Sequence, residues 1–144
     1  MAPVKASAEF SARAEEVPAM VEFVAGEADR AGVGERRLAH LRIAVEEIAL
    51  NICDHAYNGG VGKLGIAVDG DAARFVTELF DDGPAFDPAA APAPDLDASI
   101  GDRRVGGLGV FLVQRLMDEF RYRRERARNI VTLVVLDGTG GERA

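Results

Sequence analysis

Two pairs of strand-like stretches constrain this chain more than any other feature. Lys63 to Asp69 and Ala73 to Phe80 flank a turn at Asp69-Gly70-Asp71, and Phe120 to Arg126 precedes Ile130 to Leu136 after a gap of similar brevity. Connections this short join antiparallel neighbours, because a parallel pair needs a crossover of roughly a dozen residues or more. A doubly wound parallel sheet is therefore not expected. A fifth strand is predicted at residues 4 to 11, where Val4, Ala6, Ala8 and Phe10 alternate with Lys5, Ser7, Glu9 and Ser11.

Between and after these strands the hydrophobic period changes to that of a helix. Glu15 and Glu16 open one helix, whose apolar side is Val17, Met20, Val21 and Val24, and which runs to about Ala31 before Gly32 and Gly34. A second runs from about Glu35 to Tyr57 with Leu41, Val45, Ile48 and Ile52 as its buried stripe, and Asn58-Gly59-Gly60 stops it. A third is predicted from about Leu108 to Glu119. The expected fold class is α/β (α+β): a two-layer sandwich with a mostly antiparallel sheet of about five strands, covered on one face by three helices. A chain of 144 residues has room for one such domain, 1–144, and not comfortably for two.

Several classes of function are disfavoured. The longest apolar runs fall far short of a bilayer span. The start, Met1-Ala2-Pro3-Val4-Lys5, lacks the pattern of an export signal. A net charge of −7 argues against nonspecific nucleic-acid binding, which requires broad cationic surface. Cys53 stands alone among apolar helix positions, which fits a small core residue in a reducing cytoplasm better than a thiol catalyst.

Three stretches carry candidate chemistry. Glu47 and Asn51 lie one helical turn apart, on a strip with His40, Ala44 and His55 that flanks the buried stripe. They can be read as a surface acid and a helix-interior amide. They can also be read as a general base beside a Mg²⁺ ligand, since Mg²⁺ takes one or two oxygens from protein and the rest from phosphate and water. Next comes Asp81-Asp82-Gly83-Pro84-Ala85-Phe86-Asp87-Pro88, directly after a strand. These are ordinary turn residues, yet a rigid carboxylate there would accept from the exocyclic amino group of adenine, where guanine offers a carbonyl. Finally, Gly106-Gly107-Leu108-Gly109 precedes the third helix, either as a plain loop or as a phosphate cradle at a helix N-terminus. It has neither the Rossmann nor the Walker spacing. Residues 87 to 105 join the second and third pieces, with alanine and proline first and charges later, and a linker this long is more often a lid than a simple connection.

As an ordered set these motifs resemble the GHKL family of ATP-binding domains, which has the Bergerat nucleotide fold, and within it the bacterial anti-sigma factors that act as protein serine kinases. The resemblance rests on Glu47, Asn51 and His55-Ala56-Tyr57, on Asp81 to Asp87, and on Gly107 to Leu112 running into Leu116-Met117-Asp118. The His-Ala-Tyr and Phe-Asp-Pro elements set it apart from sensor histidine kinases, gyrases and chaperones of the same superfamily. It implies that Glu47 is the general base for a serine hydroxyl, that Asn51 coordinates Mg²⁺, and that Asp81 reads adenine in a pocket shaped by Gly83. Gly107 and Gly109 would hold the phosphates of ATP, Arg104 beside Arg103 would meet the γ-phosphate, and Thr132 would lie near the adenine. Residues 89–105 would form the ATP lid. The implied partners are an antagonist protein bearing the phosphoacceptor serine and a sigma factor, with homodimerisation suggested. Two other outcomes stay open: an ATP-binding interaction module without transferase activity, and a regulatory domain with a vestigial site. The crowd of Arg121, Arg123, Arg124, Arg126 and Arg128 is either a solvated edge or a surface for an acidic partner.

Overall fold

Alternation at the N-terminus produces β1 (Val4–Ser11), whose odd and even residues divide between solvent and core as a period of two requires. The computed structural model describes residues 3–57, 62–88 and 107–137. A 3₁₀ turn, Ala14–Glu16, leads into α1 (Val17–Ala31), which Gly32 closes, and α2 (Glu35–His55) follows almost at once. Then come the hairpin β2 (Lys63–Gly70) and β3 (Arg74–Asp81), the helix α3 (Gly107–Leu116), and the hairpin β4 (Glu119–Glu125) and β5 (Arg128–Leu136).

The five strands form one sheet in the order β1-β2-β3-β5-β4, and every neighbouring pair is antiparallel. The second hairpin is thus inserted in reverse: its last strand pairs with β3 and its first becomes an edge. Leu64, Ile66 and Val68, Phe75 and Leu79, and Val131, Leu133 and Val135 share one face and pack beneath the helices with Met20, Val24, Leu41, Val45, Ile48 and Val113. α2 lies between α1 and α3 and contacts both. The opposite face carries no helix among the described residues. There Lys5, Ser7, Asp69, Arg74, Val76 and Glu78 line an open groove. The two-layer architecture expected from the periodicities is the one observed.

Two helix ends fall earlier than the periodicity predicts, for tertiary reasons. α2 stops at His55 rather than Tyr57 because Tyr57 leaves the helix to clamp the sheet: its hydroxyl donates to the Lys63 carbonyl (2.6 Å) and accepts from the Asp82 N–H (3.0 Å). The expected stop at Asn58-Gly59-Gly60 lies outside the described residues. α3 ends at Leu116 rather than Glu119 because β5 captures the next residues. The Asp118 N–H donates to the Val134 carbonyl (2.9 Å), and its carboxylate accepts from the Leu136 N–H (2.7 Å). Among the described residues, no helix is long and apolar enough to cross a membrane.

Candidate functional site

Five of the eight residues singled out as site candidates converge along α2. The strip that flanks its buried stripe faces inward: Ala44 and Asn51 are buried, while His40, Glu47 and His55 are half-buried. The first turn of α3 covers Glu47. A Cβ on Gly109 would land on the Glu47 carboxylate and push that side chain aside, so glycine lets the α3 backbone lie against Glu47 where it stands. Burial, reinforced by the neighbouring Glu46, holds the Glu47 carboxyl above its ordinary pKa. That is the direction a general base needs, since a carboxylate released from water accepts a proton more readily.

One turn further on, Asn51 is 8% exposed, and its Oδ1 is buried without a hydrogen-bond partner. Leaving such an acceptor unmet costs about 1–3 kcal/mol, and here the orphan oxygen stands beside the Asp81 pocket, open to a ligand. A hard cation fits. An amide oxygen is a proper Mg²⁺ ligand, and Mg²⁺ completes its octahedron from phosphate and water rather than from a protein cage. No cluster of three His, Cys, Asp or Glu side chains stands together among the described residues.

Asn51 shares a small pocket with Asp81, walled by Ile52, Ala56, Phe86, Pro88, Asn129 and Val131. Asp81 ends β3 and is 5% exposed; its Oδ1 accepts from the Gly83 N–H (2.8 Å) and from Asn129 Nδ2 (3.0 Å). Gly83 sits against the end of α2, where any Cβ would overlap the Ala56 backbone. Phe86 stacks on His55 with ring centroids 4.5 Å apart, which makes His55 a packing residue. From Glu47 to Ala56 the helix rises on the order of 13 Å. That length separates the Asp81 end of the strip from the Glu47 end.

The remaining candidates fare differently. Gly107 opens α3 at the expected place. Arg104, with Arg103 and the expected lid at 89–105, lies outside the described residues. The expectation for Thr132 is corrected. It lies between Val131 and Leu133, which face the helices, so its side chain points to the other face of the sheet. There its hydroxyl approaches Glu78 (3.5 Å) and Arg123 (3.4 Å), away from the pocket. A register shifted by one residue would have moved it to the pocket side, and sequence alone did not determine that parity.

What the sequence reading missed is Asn129. Its one visible signal is an amide at the head of a mostly apolar strand; the partners could not be read. Its Nδ2 also reaches the carbonyls of Pro84 (2.9 Å) and Gly83 (3.3 Å), and its Oδ1 accepts from Tyr122 (2.6 Å), Arg124 (3.0 Å) and the Phe86 N–H (3.3 Å). The arginine crowd disperses for the same reason of strand parity. Arg124 turns inward to the Gly83 carbonyl (3.0 Å), while Arg121 pairs with Glu119, Arg123 with Glu125 and Glu78, and Arg128 with Asp82. Burial and the nearby Asp54 push the Cys53 thiol up to about 11, which leaves it inert as a nucleophile near neutral pH.

The profile of the histidine kinase-like ATPase domain family matches residues 10–135. A protein named Serine-protein kinase RsbW from Halalkalibacterium halodurans is 34% identical over 120 residues, covering 76% of this chain and 74% of that protein. One of the same name from Staphylococcus aureus is 33% identical over 122 residues, covering 76% and 77%. A crystal structure of RsbU and RsbW domains from Mycobacterium tuberculosis superposes with a TM-score of 0.59 at 15% identity. It covers 94% of this chain and 32% of that one, a likeness of fold.

Proposed function

The chain belongs to the histidine kinase-like ATPase domain family, and on that premise we propose that it is an ATP-dependent protein serine/threonine kinase of the anti-sigma type. It phosphorylates a serine on a small antagonist protein and, in another state, sequesters a sigma factor. The observation that carries the reading is the alignment along α2. Glu47 stands against the first turn of α3, the orphan oxygen of Asn51 follows one turn later, and Asp81 shares the Asn51 pocket. The two relatives named as serine-protein kinases support the transferase class.

In this mechanism Asp81 accepts from the amino group of the adenine, and Gly83 keeps the pocket floor low. Asn51 would hold Mg²⁺ through its amide oxygen, and the metal would supply neutralisation of phosphate charge. The N–H groups opening α3 at Gly107 and Gly109 cradle the phosphates, with Arg104 from the segment 89–105, acting as a lid, at the γ-phosphate. Glu47 takes the proton of the incoming serine hydroxyl, and closure of the lid keeps water from competing. The chain works as one domain, 1–144, in the cytoplasm and as a homodimer, without direct contact to nucleic acid or membrane.

Transfer of phosphate from ATP–Mg²⁺ to a serine-bearing antagonist, followed by mass, tests the reading. Glu47→Gln keeps ATP binding and abolishes transfer, whereas Asn51→Ala loses the metal-dependent part of both. Binding without transfer to any cognate antagonist would convert the protein into a sequestering module. Absence of ATP binding would mark the site as vestigial.

A further inference from the structure

We propose that Asn129 is a positioning residue for base recognition: it determines which oxygen of Asp81 is presented to the purine and thereby sets selectivity for a 6-amino group. The inference rests on Asp81 as the residue that reads the base. Asp81, Asn129 and Arg124 are directly paired across β3, β5 and β4, so acid, amide and cation form one cross-strand row on the helix side of the sheet. An amide has two N–H donors and two acceptor lone pairs, and here every one is used. The donor end meets only acceptors, namely Asp81 Oδ1 and the carbonyls of Gly83 and Pro84. The acceptor end meets only donors, from Tyr122, Arg124 and Phe86. A flipped amide would set donors against donors at one end and acceptors against acceptors at the other.

This has a direct consequence for Asp81. Its Oδ1 is occupied by the Gly83 N–H and the Asn129 amide, and among the described residues no donor meets Oδ2. The carboxylate therefore cannot spin to average its two oxygens; one is anchored in the sheet and the other is left for a ligand. The same amide ties down the Gly83–Phe86 segment that walls the pocket. Tyr122 and Arg124 hold the acceptor end from the edge strand. Remove the amide, and Asp81 gains rotational freedom while the wall loses its tether.

The test measures dissociation constants of the full chain for ATP–Mg²⁺ and for the purine riboside triphosphate that lacks the 6-amino group, in wild type, Asn129→Ala, Asn129→Asp and Tyr122→Phe. Wild type is expected to favour ATP by about tenfold, the value of one good hydrogen bond to a charged acceptor. The preference falls to near unity in Asn129→Ala. It falls as far in Asn129→Asp, whose shape is native but whose second carboxylate faces Asp81 and two carbonyls. Tyr122→Phe, which removes one hydroxyl, reduces it two- to fivefold. A purely packing role would spare the isosteric Asn129→Asp and leave the ratio of the two ligands unchanged in every variant, and that result overturns the proposal. If Asn129→Ala does not fold, the Tyr122→Phe ratio decides alone. Failure of wild type to bind ATP would remove the ATP-site reading itself, and it is seen before any substitution is made.

Discussion

At the scale of the residue, Glu47 and Thr77 illustrate what burial costs at a proposed general base and at a core position outside the pocket. The Glu47 carboxyl is raised from 4.5 by burial and by Glu46. Between that unfolded value and the raised folded one, the folded chain keeps a proton that the unfolded chain has released. Stability therefore falls as pH rises through the window, and the penalty is constant above it. Glu47→Gln lacks this contribution, so we expect it to be no less stable than wild type at neutral pH while phosphate transfer disappears. Denaturation midpoints across pH 4 to 8 should show the difference between the two proteins opening in that window; a variant that is less stable throughout refutes the account. Transfer by wild type should show an acid limb displaced above the ordinary glutamate range. Thr77, by contrast, is fully buried in β3 with an unpartnered hydroxyl and no role in the pocket. Thr77→Val keeps the shape and removes the orphan, so stability should rise by roughly 1 kcal/mol, measured by urea unfolding.

At the scale of the element, the β4–β5 hairpin carries visible strain. Its two-residue turn is Arg126-Ala127, with φ of 50° and 65°. Positive φ at both central positions is the requirement of the turn that best matches strand twist, and Asn-Gly meets it most easily. Replacing Arg126-Ala127 by Asn-Gly should stabilise the fold by about 1 kcal/mol, seen as a Tm rise of roughly 2–4 °C. A fall in Tm would mean that the Arg126 side chain contributes more than its backbone costs. The strand pair itself was legible from two strand-like stretches and the short gap between them, but its reversed attachment to β3, with β4 as the sheet edge, was not. That reversal sends Thr132 to the helix-free face and brings Asn129 beside Asp81. Helix existence was legible too. The ends were not, because Tyr57 and Asp118 leave their helices for hydrogen bonds with strands distant in sequence.

At the scale of the whole molecule, the site is assembled by packing. α2 supplies Glu47 and Asn51, β3 and its exit supply Asp81 and Gly83, and α3 supplies Gly109. Any ligand that bridges them binds only the folded chain. ATP with Mg²⁺ at a hundred times its dissociation constant should therefore add about 2.7 kcal/mol of stability, seen as a rise in Tm. Chelating the metal should withdraw part of that gain, and Asn51→Ala should make the shift insensitive to metal. An unchanged Tm with ATP, at any metal concentration, would mean that the three elements do not close on a nucleotide.

The primary structure alone determined the inventory: five strands, three helices, antiparallel hairpins, and the acid, amide and glycine motifs with their order along the chain. These are local matters, governed by periods of two and 3.6 and by turn chemistry over a few residues. Only the tertiary structure decided which face each strand residue occupies, and so which polar groups meet. A shift of one residue in register exchanges the two faces, and no local pattern encodes the neighbour strand. Asn129 rather than Thr132 stands beside Asp81 for that reason, and the oxygen of Asn51 is an orphan only because α2 is packed so tightly against the sheet and its neighbours.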